Sequence, residues 1–313
     1  MNYLLIGLGF ISMHLAEFLS SKNNVKVTYR NLNPVKRVYL ETLKDMAIRL
    51  DPFRDESLLS EEIRRAEVVV NLAGEITGSK EELKRANTEL PELLIKKIAK
   101  ENREALFIHL SASTYGLTGK VELENPHGYG LKPSNYFEQT KLEGEKAIFK
   151  ISSQYDLKSA IIRPTLVYGK YNAHSQFVTI YKISKLGLVP KTNINFMPIS
   201  ALSLAKIISK LTELMPKKLY FYASECNQVN VSKFFELMVR ALGRKAIKIP
   251  IPKLFAKMAM PKEIRDLMIY EGTIYDCSKT EELIGEARFS EKEVIENAKF
   301  LRYLEERKSL VPT

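Results

Sequence analysis

The residues of this chain whose types and spacing first point to chemistry stand at its amino terminus. Gly7, Leu8 and Gly9 follow a short apolar run, Tyr3–Ile6, and from Phe10 the pattern turns helical, with Ile11, Leu15, Phe18 and Leu19 on one face. Glycines let a backbone approach a diphosphate, and the free N–H groups at a helix start face its negative charge. The spacing is G-x-G-x-x-S, with Ser12 where a third glycine would stand; serine is small enough for close helix–strand packing. About 20 residues further on, where an acidic residue would accept hydrogen bonds from a ribose 2′-hydroxyl, the chain has Arg30, with Lys36 and Arg37 close behind. Cations there suit a 2′-phosphate and favour NADP over NAD. Asp51 ends a third apolar run, where a carboxylate either faces an adenine amino group or closes an Asp-Pro turn. Asn71 is followed by Leu72, Ala73 and Gly74, small enough for a flat cofactor to lie across the strand tips.

Positioning these residues requires alternating strands and helices. Strands are expected at Val25–Tyr29, Met46–Leu50, Glu67–Leu72, Leu106–Leu110 and Ser159–Arg163. Helices are expected around Pro34–Lys44, Glu56–Arg65, from Ser79 to about Lys100 with an interruption at Pro91, and over Tyr136–Gln154. Ser79 with Glu82 forms a capping box. The alternation predicts an α/β fold, a Rossmann-type doubly wound parallel sheet with right-handed crossovers and seven strands or a similar number. Residues 1–170 are read as the dinucleotide-binding domain. Residues 171–313 are read as mostly a small substrate-binding cap, with some segments returning to the sheet; helical runs are expected at Ser175–Lys185, Leu202–Leu214, Val231–Leu242, Pro252–Met260, Pro261–Glu271 and Ser290–Arg307, and a strand-like piece at Lys218–Tyr222.

Composition narrows the function classes. With 313 residues, 45 % hydrophobic and 27 % charged, the chain is long enough for a large core and ordinary for a globular enzyme. No apolar run is long enough to span a membrane, and no basic segment precedes the first apolar run, so a cytoplasmic location is expected. Cys226 and Cys277 fit no metal spacing and are expected as reduced thiols, with no metal site. The net charge of +11 is spread along helices and interleaved with glutamates, which reads either as a solvated, salt-bridged surface or as attraction of an anionic ligand such as a nucleotide-sugar; no motif supports nucleic acid. Glutamine at only four positions hints at a thermophilic source.

Three further stretches carry a resemblance. Leu110–Gly116 reads Leu-Ser-Ala-Ser-Thr-Tyr-Gly, Lys141–Glu145 reads Lys-Leu-Glu-Gly-Glu, and Arg163–Gly169 reads Arg-Pro-Thr-Leu-Val-Tyr-Gly. With the glycine turn ending Gly9-Phe10-Ile11, the Asn71–Gly74 stretch, and the late Asp276–Lys279 followed by Leu283-Ile284-Gly285, the chain resembles the extended short-chain dehydrogenases/reductases over its whole length. This family includes NAD(P)-dependent sugar-nucleotide epimerases and dehydratases. The resemblance implies that Gly7, Gly9, Phe10 and Ile11 meet the diphosphate. It implies that Ser111 hydrogen-bonds the reacting substrate oxygen, and that Lys141 holds the nicotinamide ribose. It also assigns Asn87 to the family's asparagine after the fourth strand, and the backbone at Pro164–Leu166 to the nicotinamide carboxamide. A small-molecule, nucleotide-linked or sugar-like substrate follows, as does a homodimer through the helices at Ser79–Lys100 and Tyr136–Gln154.

The chain also departs from the pattern. The family's acid/base tyrosine stands four residues before its lysine; here that position is Phe137, and Tyr136 is one residue early. On a helix, four residues differ in direction by about 40° and five by about 140°. A phenyl ring carries no transferable proton, and general acid/base catalysis is worth about 10²–10⁴-fold. Three readings stay open: a catalytically silent NADP-binding sensor or scaffold; replacement of the tyrosine by Ser113, Tyr115, Tyr136 or His174; or an irregular turn at Pro133–Asn135 that brings Tyr136 into place. The paired aspartates that the family carries before a later helix are also absent, and Ile199–Leu202 stands there instead. Of the remaining residues, His14 is expected to be exposed, His109 to be core, His127 and His174 to lie in loops near the cleft, and Phe255, Met258, Met260 and Met268 to form cap core.

Overall fold

In the computed structural model, residues 1–124, 130–251, 265 and 268–313 are described. The chain runs β1 (Asn2–Ile6), α1 (Phe10–Leu19), β2 (Asn24–Tyr29), α2 (Pro34–Leu43), β3 (Ala47–Arg49), α3 (Glu56–Arg65), β4 (Val68–Asn71), α4 (Lys80–Lys84), α5 (Leu90–Glu101), β5 (Leu106–Leu110), β6 (Lys120–Val121), α6 (Tyr136–Tyr155), β7 (Ser159–Pro164) and β8 (Leu166–Tyr168). It continues through α7 (Ser175–Lys185), β9 (Leu188–Lys191), β10 (Asn195–Phe196), β11 (Pro198–Ser200), α8 (Ala201–Leu214), β12 (Leu219–Ala223), β13 (Val229–Asn230), α9 (Val231–Ala241), β14 (Ile247–Pro250), β15 (Ile274–Tyr275), α10 (Ser278–Ile284) and α11 (Glu291–Glu306).

Seven strands form one parallel sheet in the order β12-β7-β5-β4-β1-β2-β3. β4 and β5 are buried along their whole length, as strands covered on both faces must be. One apolar layer packs the face that carries α1, α2 and α8; a second, built on Leu59, Ile63, Leu94, Ile98 and Ile148, packs the face that carries α3, α5 and α6. The strand order reverses between β1 and β4, which leaves a crevice at the carboxyl ends of the strands, where ligands of such sheets bind.

The seventh strand, β12, comes from beyond residue 170 and lies beside β7 with Phe221 opposite Ile162. α8 packs on α1, so the stretch 201–223 belongs to the layered body. The rest of the carboxyl-terminal part is tied on by short two-stranded pairs, among them β11 with β8 and β15 with β6. These pieces of two or three residues carry too little periodicity to be read from sequence. The interruption expected at Pro91 is a π-helical turn over Arg85–Glu89 that delivers the chain into α5 with the proline in its first turn. The Ser79–Glu82 capping box forms as expected, with Glu82 N–H donating to Ser79 Oγ and Ser79 N–H to Glu82 Oε2.

Two expectations are overturned. Cys226 and Cys277 are joined in a disulfide, not reduced; they are separated by 51 positions, and the approach of β15 to the loop after β12 brings their Cα atoms to 5.6 Å, within bridging range. His14 is buried, not exposed: its ring faces the loop after β8, with Nε2 2.8 Å from the Lys170 carbonyl and 3.5 Å from Glu293 on α11. Burial holds its pKa below the usual histidine value. The expectations for His127, Phe255, Met258, Met260 and most of the helices read over 252–271 lie outside the described residues; Met268 is buried. No helix among the described residues is long and apolar enough to cross a membrane.

Candidate active site

At the tip of β1, Gly7 takes a positive φ of 104°. A Cβ there would press on Ala73 at the tip of β4, so the two turns fit only because one is bare backbone. Above Gly9 lies open space, with no atom within 4 Å of where a Cβ would project. Ser12 folds back on Gly9: its Oγ accepts from Gly9 N–H at 2.9 Å and donates to the Gly9 carbonyl at 2.8 Å. The Gly9 amide is thereby occupied, and the first-turn amides of Phe10 and Ile11, which have no partner within the helix, are the ones left for an anion. Phe10 is buried and Ile11 half-buried, and the Phe10 ring meets His174 edge-on at 5.2 Å.

Arg30 is exposed at the end of β2, and the side chain of Lys36 is half-buried close to it. Burial lowers the Lys36 pKa, and the nearby Arg30 charge adds to the effect, while Glu75 opposes it. Arg37 is exposed on the next helical position. Asp51 acts as a turn residue: its Oδ1 accepts from Phe53 N–H, and Asp55 accepts from its own N–H.

Leu72 extends the β4 pairing through its N–H to Ile6, and Ala73 N–H donates to Asn71 Oδ1. A Cβ on Gly74 would meet Lys141 Nζ at 2.5 Å. Lys141 is buried on α6, and Nζ reaches the Leu110 carbonyl at 3.3 Å. Burial lowers its pKa to about 8, while Glu145 and Glu75 work in the opposite direction. Asn87, fully buried in the π-turn, clamps Glu75 through both its amide atoms and donates to Thr140 Oγ1. A Cβ on Gly144 would collide with the Asn87 carbonyl, which explains a glycine in the middle of α6. Pro164 and Leu166 are half-buried on either side of Thr165, whose N–H is held by Ala223.

At the tip of β5, one residue past the Leu110 carbonyl that Lys141 reaches, Ser111 Oγ lies 2.7 Å from Tyr115 Oη. Tyr115 donates to Glu145 Oε1 at 3.0 Å, and Arg163 binds Glu145 in a two-pronged contact, through Nε at 3.0 Å and Nη2 at 2.7 Å. Arg163 also pairs with Glu124, and Tyr115, Tyr220 and Tyr222 surround it with ring centroids 5.2–5.5 Å from its guanidinium carbon. Burial raises Glu145 to about 7, and burial likewise pushes the Tyr115 phenol far up.

Phe137 packs with Ala112, Tyr115 and Leu142. Tyr136 lies elsewhere, with its ring 5.5 Å from Lys80 Nζ. α6 starts without irregularity: Asn135 Oδ1 caps the Glu138 N–H at 2.9 Å. His174 caps α7 and is pushed down to about 4 by burial. Ser113 is buried beside Tyr275. His109 donates to or accepts from Asn71 through Nδ1 at 3.0 Å, and its buried Nε2 has no hydrogen-bond partner among the described residues. Glu145 and Arg163 lie within the stretches Lys141–Glu145 and Arg163–Gly169, but a buried arginine facing a glutamate one helix earlier leaves no periodic signal in the sequence.

The NAD dependent epimerase/dehydratase family matches residues 3–186 of the sequence. The chain belongs to that family. A UDP-glucose 4-epimerase of Vibrio cholerae is 25 % identical over 163 residues, which is 49 % of either chain, so the match spans about half the length of that relative. Among solved structures, a UDP-glucuronic acid 4-epimerase of Bacillus cereus in complex with NAD superposes with a TM-score of 0.77 at 18 % identity, over 97 % of each chain. A UDP-glucose 4-epimerase of Thermotoga maritima with UDP-glucose gives 0.73 at 19 %, over 97 % of this chain and 99 % of that one. At these identities the structures show the fold.

Proposed function

We propose that the chain binds a nicotinamide dinucleotide across the tips of β1 and β4 and uses it on a nucleotide-linked sugar, as an epimerase, dehydratase or reductase. The observation that carries this is Lys141 Nζ, buried under Gly74 and reaching the carbonyl of Leu110, the residue before Ser111. A buried cation under the bare tip of β4, with open space over Gly9 beyond the neighbouring β1, fits a flat, ribose-bearing anion.

The chain's groups divide the work. The amides of Phe10 and Ile11 face the diphosphate. Lys141, held by Leu110 and steadied by Glu145, orients the nicotinamide ribose. Ser111 polarises the substrate oxygen, and Asn87 keeps Glu75 and Gly74 in place beneath both. The bound cofactor supplies an acceptor or donor of hydride. Arg30 and Lys36 together favour NADP, since two cations beside the end of β2 suit a 2′-phosphate, whose charge would oppose the lowering of Lys36 that comes chiefly from burial. By resemblance, α4, α5 and α6 form a homodimer face, which light scattering of the full chain tests.

Mass analysis of co-purified cofactor tests the binding reading: a nicotinamide dinucleotide is expected, NADP before NAD. Arg30→Asp is expected to weaken NADP about 10-fold or more, the scale of one or two charge-assisted hydrogen bonds, and to leave NAD little changed; unchanged NADP preference removes Arg30 from the argument. Phe137→Tyr is expected to raise turnover of UDP-glucose or UDP-glucuronic acid. Since Phe137 sits against Tyr115 with no proton to give, the second reading is a silent cofactor-binding protein, and equal, absent turnover in both proteins favours it.

A further inference from the structure

The hydroxyl that a tyrosine at position 137 would supply has a neighbour already in the site. Ser111 Oγ is 2.7 Å from Tyr115 Oη, and Tyr115 Oη is 3.0 Å from Glu145 Oε1, an unbroken line of exchangeable protons from the substrate side of the β5 tip into the core. All three side chains are buried, so bulk water does not compete along it. The line is also held in place. The Tyr115 carbonyl accepts from Lys132 N–H, and the following Gly116 N–H donates to Tyr270 Oη at 2.8 Å. Gly116 has a φ of 76° and no room for a Cβ, because the Lys132 carbonyl occupies that place. The far end rests on Arg163, one guanidinium shared by two carboxylates, Glu145 and Glu124.

We propose that Tyr115 and Glu145 relay protons to and from Ser111, and so take over the proton transfer that Phe137 cannot perform. The proposal rests on the hydride-transfer reading above. When a substrate alcohol is oxidised, its carbon gives up a hydride, for which the oxidised nicotinamide is the acceptor, and its oxygen gives up a proton. Ser111 Oγ takes that proton as its own passes to Tyr115 Oη, and the Tyr115 proton passes to the Glu145 carboxylate. The O–H bonds broken and formed are equal in number, and the net change is one protonated carboxyl and one carbonyl. Reduction runs the same line backwards and restores the Glu145 carboxylate. No hydroxyl in the line needs to hold a full negative charge, which suits a tyrosine whose ionisation is strongly opposed by burial. The terminal acid is suited to the task as well, since burial brings Glu145 to about 7.

The charged and titratable groups that face Glu145 come from its neighbouring elements: Lys141 on its own helix, Ser111 and Tyr115 from the β5 tip, Tyr220 and Tyr222 from β12, and Arg163 from β7, whose guanidinium also pairs with Glu124. Tyr115 and Glu145 act through Ser111 and are positioning and relay residues, so their test needs a readout that a packing role would not move.

The experiment compares Tyr115→Phe with the wild type, as full chains with UDP-glucose and NADP or NAD. The phenylalanine keeps the ring against Ala112 and Leu142 and removes only the hydroxyl. A fall in kcat of about 10²-fold or more is expected with KM little changed. Adding Phe137→Tyr to Tyr115→Phe is expected to restore kcat, because the proton then has another route. Infrared spectroscopy of the cofactor-free protein is expected to show a carboxyl titrating at about 7 that Glu145→Gln removes and Tyr115→Phe displaces. Wild-type turnover that Tyr115→Phe leaves intact, or a titration indifferent to Tyr115, overturns the relay alone. No turnover by either the wild type or Phe137→Tyr overturns the functional reading and the relay's task with it.

Discussion

Two buried glutamates in this molecule look alike until their surroundings are compared. Glu145 on α6 and Glu225 just after β12 are both raised to about 7 by burial, and each accepts a hydrogen bond from a tyrosine. Glu225 is satisfied entirely by neutral donors: Tyr168 Oη at 2.9 Å and Ser200 N–H at 3.0 Å. It staples β12 to the start of α8, and Tyr168 Oη passes the connection on by accepting from Ser290 N–H at the start of α11. Glu145 instead sits between two cations, Lys141 and Arg163, and its tyrosine touches the hydroxyl of Ser111. A raised carboxyl marks burial in both places; only a path from the carboxyl to the reacting oxygen distinguishes a working group from a staple.

The largest expected effect comes from breaking the ionic side. Arg163→Met leaves Glu145 and Glu124 without their shared cation, and a loss of about 3–5 kcal/mol of stability is expected in urea unfolding. A loss under 1 kcal/mol would show that the pair is solvated rather than buried. Next comes Tyr168→Phe, which removes a donor to Glu225 and an acceptor for Ser290 N–H; it is expected to cost about 1–3 kcal/mol. Turnover is expected to be unchanged, in contrast to Tyr115→Phe. If the two variants affect turnover alike, the distinction between the two glutamates fails.

The smallest effect is in the pH dependence of stability. Both glutamates have folded pKa values above the ordinary 4.5, so the folded state holds these protons more tightly than the unfolded chain. Their contribution is complete below 4.5 and is lost as pH rises through about 7. Each therefore adds a slope of at most about 1.4 kcal/mol per pH unit in that window. Glu225→Gln is expected to flatten the measured slope by one group's share; an unaltered slope would place Glu225 in water.

The two halves of the site differed in how far the sequence disclosed them. Around Gly7 and Gly9 the necessary information is local: an apolar run, a turn and a helical period all within 20 residues, and strand and helix limits in this part agree with expectation to within a residue or two. The same holds for α3 and α7, whose bounds match the periodicity at both ends. Around Tyr115 the information is non-local. Nothing in the spacing of Tyr115, Glu145 and Arg163 says that they converge, because convergence depends on β7 lying next to β5 and on α6 crossing both. The burial of His14 is invisible in the sequence for the same reason, as its partners Lys170 and Glu293 lie more than 150 residues away. The disulfide joins the loop after β12 to the residues just past β15, a strand of two residues that no period announces. Phe137, by contrast, was legible as a departure, yet its consequence became readable only with Tyr115 beside it.

Calorimetric titration of the full chain with NADP and with NAD tests the central claim most directly. One dinucleotide per chain is expected to bind, NADP the more tightly, with binding abolished by Gly7→Val, whose side chain would press on Ala73. Absence of saturable heat with both dinucleotides, in protein that is folded and free of bound cofactor, would contradict the account.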